Sequence, residues 1–546
     1  MSTRVIPGRS KVATTFGIVA ASQPLAARAG VQMLEQGGNA VDAAIAANAV
    51  MAVVEPNSCG IGGDLFVLYF EASTGQLYGL NAGGWAPAAL SPAFLNAQGI
   101  HSMPATGVHS VTVPGAVAGW DVLRARFGRL SLAAVLAPAV FYADNGFPVS
   151  EVIAAAWDDE VETLAAEPNA AATFLMKGRA PRAGQVFANP DLARTLGLIA
   201  RRGTSAFYQG EIADAIVAEC SRRGGTLARA DLSEYTPEWV EPISTTYRGW
   251  TVYELPPNTQ GIAALVMLNL METFPLRAYG FHSAAALHRM IEAKKLAYAD
   301  MLRYVADPRW ASVPVPAMLG KAHAGKRARL IDARRAAATV EPSTVAGLTT
   351  TRGGDTIYLS AVDRDGNMVS LIQSVFAPFG SGIVPAGTGV LLHNRGALFT
   401  LDQEHPNVLA PRKRPLHTII PGFMTHNEVK VAFGIMGGFN QAQAHAQFVA
   451  NIVDFGLDVQ QALEAGRFTK RTFAGCDVDV EALVPEGARN ELERMGHDVR
   501  VVGPRTATFG YGQAVMRDGA GVNFGASDPR HDGAAIPEAP PVRVSR

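Results

Sequence analysis

A threonine at the start of an apolar strand is the first residue whose setting invites a chemical reading. The run Gly353-Gly354-Asp355-Thr356 is polar and glycine-rich, and it passes abruptly into Ile357-Tyr-Leu-Ser-Ala-Val362. β-Branched and aromatic residues fill that stretch, which predicts a strand. Asp365-Gly366 then predicts a tight turn, with Met368-Val-Ser-Leu-Ile-Gln373 as the returning strand. On these residues alone, the segment is a hairpin with a threonine at its edge. Gly60-x-Gly62-Gly63 lacks the spacing and following helix of a phosphate loop, and its glycines read as points where two backbones approach closely. Metal chemistry has little support: Cys59, Cys220 and Cys476 fit no ligand spacing, nor do His405, His417, His426 and His445, and no HExxH occurs.

The elements that must position these residues follow from periodicity and punctuation. Phe16–Ser22 predicts a short strand, and Leu25–Gln36 a helix closed by Gly37-Gly38. Asn39 caps a helix predicted over Ala40–Val54, with Pro56 just beyond it. Apart from Asp42 and Asn48 that helix is apolar all round, so it is expected to be buried. A hairpin spans Leu65 to Leu80. From Ser131 to about Val340 the pattern is mainly helical, with a strand at Trp250–Glu254, and Glu292, Lys294 and Lys295 read as a solvated helix face. Ala322–Thr351 reads as a mobile connector. Beyond it come a strand at Val429–Ile435 and helices near 442–455, 459–465 and 486–495. The tail after Asp528, rich in Pro, Ala and charge, is expected to be disordered. This order admits several α+β folds.

Several separated stretches narrow the choice. Pro24-Leu-Ala, Gly38-Asn-Ala-Val-Asp-Ala-Ala44, Ser58-Cys-Gly-Ile-Gly-Gly-Asp64, Thr112–Gly119, and the Thr356 strand with its Val362-Asp-Arg-Asp-Gly-Asn367 turn together resemble the gamma-glutamyltransferase family. The matches run from about residue 16 to residue 525. The resemblance implies the α+β, four-layer αββα sandwich of N-terminal-nucleophile hydrolases. It also implies a precursor that cuts itself between Asp355 and Thr356, giving a large subunit (1–355) and a small one (356–546) that stay together as a heterodimer. A threonine hydroxyl is a poor nucleophile, and the new α-amine, near neutral in pKa, would take its proton. Ile435-Met-Gly437-Gly438-Phe-Asn440 matches the turn whose amides form the family's oxyanion hole, although Gly-Gly at a strand end also suits a plain turn. Ser374 falls where the family keeps a hydroxyl beside the nucleophile. No cofactor is implied.

The acyl pocket departs from the family pattern. Where the family's glutamate-reading arginine is expected, the run is Ala82-Gly83-Gly84-Trp85-Ala86-Pro87, with Gly83 at the arginine's place. Arg395-Gly-Ala-Leu398 follows Asn394 without the acidic residue that receives a substrate ammonium. His417-Thr418 replaces a pair of serines, and the lid segment from Phe399 to Pro415 is short. A glutamyl group bound here would forgo a charge-assisted hydrogen bond worth about 1.5–3 kcal/mol. Arg395 and His417 are instead candidates for a lone carboxylate, with Thr418, Asn394 and Trp85 completing the substrate-binding set. The pattern resembles members that hydrolyse oxamate or glutaryl-type amides, with water as the expected acceptor. True γ-glutamyl transfer is the alternative within the class, and an unprocessed binding homologue is the alternative outside it.

Lys plus Arg is 47 against Asp plus Glu 48, so the net charge of −1 offers nothing to nucleic acid or an acidic membrane. No apolar run reaches membrane-spanning length, and Ser22-Gln23-Pro24 interrupts the first apolar stretch, unlike an export signal. A cytoplasmic location is expected.

Overall fold

The computed structural model describes residues 8–341 and 355–541. Its centre is a pair of antiparallel sheets of seven strands each. The first runs in the order 534–537, 18–21, 355–362, 368–376, 64–71, 76–82, 238–240. The second runs 12–14, 523–527, 512–517, 429–435, 422–426, 250–254, 243–247.

Strand periodicity builds the layers. In the strand Asp355–Val362, Ile357, Leu359 and Ala361 pack with the helices Pro24–Glu35, Ala40–Val54 and Leu132–Asn145. Tyr358 and Val362 point the other way, joining Phe66, Leu68 and Ile372 against Phe423, Ala432 and Val515 of the second sheet. On its far side the second sheet buries Val252, Val431 and Phe433 against Gly261–Glu272, Ala284–Tyr304 and Asn440–Val453. Helix, sheet, sheet and helix therefore stack around three apolar interlayers, which is the four-layer αββα sandwich expected from the sequence.

The helix Ala40–Val54 forms within the predicted bounds, capped by Asn39 in a capping box with Asp42, and every residue is buried. Glycines at 62 and 63 allow close approach: a Cβ would lie 2.1 Å from Leu391 O and 2.3 Å from Ser374 O, respectively.

Two expectations are corrected. Glu292, Lys294 and Lys295 do not form a solvated face, because the helix Ala284–Tyr304 is roofed by the segments around Ala337 and Thr472 and all three side chains are buried. Lys295 Nζ donates to Glu292 Oε1 (2.6 Å) and Ala337 O (2.7 Å), and Lys294 Nζ donates to Thr472 O (2.7 Å) over the Tyr298 ring. The tail after Asp528 is ordered through residue 541: Ala534–Pro537 pairs with Ile18–Ala21 and closes the sheet edge. Local composition signals disorder, but an unpaired strand edge recruits it. The predicted connector begins with the helix Lys321–Ala328, and its part from 342 onward lies outside the described residues.

Three buried histidines set an acid limit. Burial pushes His282 down to about 4 and, reinforced by Arg395 and Lys295 respectively, His417 and His497 to about 3. The unfolded chain takes up these protons near pH 6.5, and the folded chain only near 3–4. Their contribution to stability is therefore full above about pH 6.5 and is lost as the pH falls towards 4. The melting temperature should drop between pH 7 and 4.5, and a flat profile would contradict the neutral buried state.

Candidate active site

Thr356, Ser374 and Asp64 share the parity of Tyr358, Ile372 and Phe66, so all three face the gap between the sheets at strand ends. Pairing slips there. Asp355 is opposite Phe376 but Ile357 is opposite Gln373, so Ser374 and Val375 together face Thr356 across a bulge. Thr356 is 1% exposed, and its Oγ1 donates to Ser374 Oγ at 3.2 Å. Ser374 Oγ also accepts from Phe376 N at 2.8 Å.

The neighbouring sheet brings in the glycine turn. Gly437 and Gly438 follow the strand Val429–Ile435 and have φ of 123° and 57°, a region where a side chain would be strained. Their N–H groups meet no acceptor among the described residues. The helix Asn440–Val453 starts immediately afterwards, so its positive end adds to those amides. Gln260 Nε2 ties the turn down by donating to Gly438 O at 2.7 Å, and it also reaches Thr418 O.

Asp64 gathers the pocket residues. Its Oδ2 accepts from His393 Nδ1 (3.0 Å), His417 Nε2 (2.9 Å) and Arg395 Nε (3.3 Å), and its Oδ1 from Gly84 N (2.8 Å). Burial pushes the Asp64 carboxyl up, but His393 and His417 outweigh it and hold it well below the usual range. Burial lowers Arg395 to about 10, with Asp64 opposing the fall, so it remains a cation at neutral pH. Arg395 Nη1 donates to Thr418 Oγ1 (2.7 Å), and its guanidinium lies over Phe376 at 4.5 Å. Its Nη2 is buried with no partner among the described residues.

A buried hydroxyl at a strand opening, an amide turn without acceptors among the described residues at a strand end of the neighbouring sheet, and a buried cation on Asp64 suit acyl transfer. The family model for gamma-glutamyltranspeptidase matches residues 26–538. The chain belongs to that family. It is 36% identical over 527 residues to the glutathione hydrolase-like YwrD proenzyme of Bacillus subtilis, covering 96% of this chain and 98% of the relative. It is 34% identical to the oxamate amidohydrolase proenzyme of Klebsiella pneumoniae, over 96% and 98% of the two chains. The crystal structure of cephalosporin acylase from Bacillus halodurans superposes with a TM-score of 0.90 at 43% identity, covering 97% of each chain. The protein is thus an enzyme of the gamma-glutamyltranspeptidase class of N-terminal-nucleophile hydrolases.

Within this gamma-glutamyltranspeptidase fold the predicted pocket residues take unequal places. Arg395 and His417 converge on Asp64, and Thr418 joins them through Arg395 Nη1. His417 is neutral and committed, with Nε2 on Asp64 and Nδ1 3.4 Å from Ile419 N. Asn394 spends its side chain on two loops, donating to Ala105 O (2.7 Å) and accepting from Ala377 N (3.1 Å). Trp85 is a wall residue, its indole N–H on Asp231 O and its ring edge-on to Tyr235. The segment after Phe399 closes on itself through a Thr400–Val408 bridge and packs Phe399 and Leu409 against Leu90 and Leu95.

Sequence reasoning missed Asp64, His393 and Gln260 as site residues. Asp64 stood within a matched motif, but its partners come from up to 353 residues away. It also missed a candidate metal-ligand group, His288, Glu292 and His497, whose donor atoms lie within 4.8 Å of one another. His288 Nδ1 and His497 Nε2 share a 2.8 Å hydrogen bond, His288 Nε2 donates to Asp332 O, and the Lys295 ammonium already sits on Glu292. The other donors of the group are thus occupied, while His497 Nδ1 meets no partner among the described residues.

Proposed function

We propose that this gamma-glutamyltranspeptidase-family enzyme is a self-processing threonine amidohydrolase acting on small amides whose acyl group carries a carboxylate but no α-amine. The observation that carries the reading is the buried Thr356 hydroxyl, held by Ser374 where strand pairing is interrupted, with Tyr511 linking the Thr356 carbonyl to Met436 beside the Gly437–Gly438 turn. Cleavage of Asp355–Thr356 frees the Thr356 amine, which takes the hydroxyl proton as Oγ1 attacks the substrate carbonyl. The Gly437 and Gly438 amides receive the oxyanion, and one such donor is worth roughly 3–4 kcal/mol of barrier. The amine leaves with the proton, and water then releases the acid from acyl-Thr356. The two pieces, 1–355 and 356–546, remain interleaved because strand 355–362 pairs with both 18–21 and 368–376.

Arg395 supports the substrate class. Its Nη2 has a donor to spare, whereas Asp64 already accepts from four groups and is a poor receiver for a substrate ammonium. The carboxylate assignment of His417 is narrowed to a positioning role on Asp64. A panel of glutaryl, oxamyl and γ-glutamyl anilides should give its highest kcat/KM on an amine-free acid. A preference for the γ-glutamyl amide by tenfold or more would favour glutathione-type transfer instead.

Ser374→Ala removes the partner of Thr356 Oγ1. A hydrogen bond of about 1 kcal/mol predicts a roughly fivefold loss in kcat. The appearance of fragments after synthesis, followed by electrophoresis, should slow to a similar degree.

A further inference from the structure

Behind Thr356 lies a buried group of polar side chains that acylation itself does not use. Glu55 is the C-cap of the helix Ala40–Val54, and its side chain is inaccessible. A helix C-terminus carries the negative end of the macrodipole, which disfavours a carboxylate there. Burial pushes the Glu55 carboxyl up in the same direction. Its Oε2 accepts from Ser22 Oγ at 2.7 Å, and its Oε1 lies 3.0 Å from Tyr511 Oη and 3.6 Å from His531 Nε2. His531 stacks on the Tyr511 ring at 3.9 Å, and its Nδ1 meets Ser22 O at 3.0 Å. Among the described residues, Asp532, bonded to Ser150 Oγ, and the Cys59 thiol, on the Glu55 carbonyl, complete the titratable groups facing this carboxyl.

Tyr511 reaches both halves of the catalytic apparatus. Its Oη lies 3.5 Å from Thr356 O, and its own carbonyl accepts from Met436 N at 3.0 Å, one residue before Gly437. Strand pairing is interrupted at Thr356 by the bulge. After cleavage Thr356 is a chain terminus, and termini fray unless tied down. A tyrosine hydroxyl has one proton to give. With Glu55 ionised, that proton goes to the carboxylate at the shorter distance. With Glu55 protonated, the carboxyl donates to Oη and the tyrosine proton is released towards Thr356.

We propose that Tyr511 is a positioning residue that donates its hydroxyl proton to the Thr356 carbonyl oxygen of the cleaved enzyme, aimed there by a hydrogen bond from protonated Glu55. The assignment rests on Thr356 being the nucleophile. It holds the terminal threonine in register with the Gly437–Gly438 amides, where an error of 1 Å can cost about 10²-fold in rate. The 3.5 Å separation belongs to the uncut chain, and such contacts tighten in the reacting complex.

The test compares Tyr511→Phe with Glu55→Gln. Phenylalanine keeps the stack on His531 and the backbone bond to Met436 but lacks Oη. Its kcat should fall roughly 10- to 100-fold with KM within about twofold. Glutamine imitates the protonated acid, donating to Oη and accepting from Ser22. It should keep kcat near wild type and lack the alkaline decline expected of the wild type as Glu55 ionises. A wild-type kcat for Tyr511→Phe, or a Glu55→Gln enzyme as impaired as Tyr511→Phe, overturns the proposal. Should Tyr511→Phe remain uncut, no cleaved enzyme forms for it to position, and the Glu55→Gln pH profile then decides alone: a profile that still declines as in the wild type overturns the proposal. Activity retained by Thr356→Ala would overturn the nucleophile reading. An inert Thr356→Ala beside an unimpaired Tyr511→Phe would overturn the positioning role only.

Discussion

Thr356→Ala is expected to give one uncut 546-residue chain where the wild type resolves into fragments 1–355 and 356–546, and to lose activity on the order of 10³-fold or more. In the proposed mechanism the same hydroxyl serves both reactions: in the precursor Oγ1 attacks the carbonyl of Asp355, and in the mature enzyme it attacks the substrate. Alanine removes that atom and little else: Ser374 Oγ keeps its bond from Phe376 N, and the flanking Ile357 and Tyr358 remain packed in separate interlayers. The melting temperature should therefore stay within a few degrees of the uncut wild type. Intact mass distinguishes the outcomes. A Thr356→Ala chain cut at the same bond points to an outside protease, and an uncut wild type leaves Thr356 without a free amine to act as base, so that a binding role would move ahead.

Arg395→Met should separate acid-bearing substrates from neutral ones. Losing a charge-assisted hydrogen bond of about 1.5–3 kcal/mol predicts a fall of roughly 10- to 150-fold in kcat/KM for a glutaryl or oxamyl amide. A neutral acyl amide should lose much less. Stability also falls, because removing one partner of a buried ion pair typically costs about 3–5 kcal/mol. His393, His417 and Gly84 N still serve Asp64, which argues for the lower end of that range. Arg395→Lys keeps the charge but not the planar fork that reaches Asp64, Thr418 and a third partner together, so it should fall between the two. Equal losses on acidic and neutral amides would assign Arg395 to architecture alone.

The Lys294–Lys295 pair and the C-terminal tail show where local reading fails. Charge at helical spacing predicts solvent, and Pro with Ala predicts disorder, because each signal counts only near neighbours. The structure instead covers the helix Ala284–Tyr304 with segments some 40 and 180 residues away in sequence, and uses the tail to finish a sheet edge.

What the sequence by itself determined is the set of parts whose signals are local. Apolar strands flanked by turn residues, the Asn39-capped apolar helix and the glycine pairs each carry their own backbone preferences, so their positions were legible. So were Thr356, Ser374 and Gly437-Gly438, which stand in contiguous motifs. Tertiary structure alone decided which of those parts meet. The slip in register opposite Thr356 comes from strand pairing, as does the placement of Asp64 across from Ser374. Arg395, His393 and His417 converge on that one carboxylate only because sheet and loops bring distant segments together. Tyr511 and Glu55 lie 456 residues apart yet are hydrogen-bonded. Whether a buried polar group is a site or a strut depends on how many of its hydrogen bonds the fold already satisfies, and that count exists only in three dimensions.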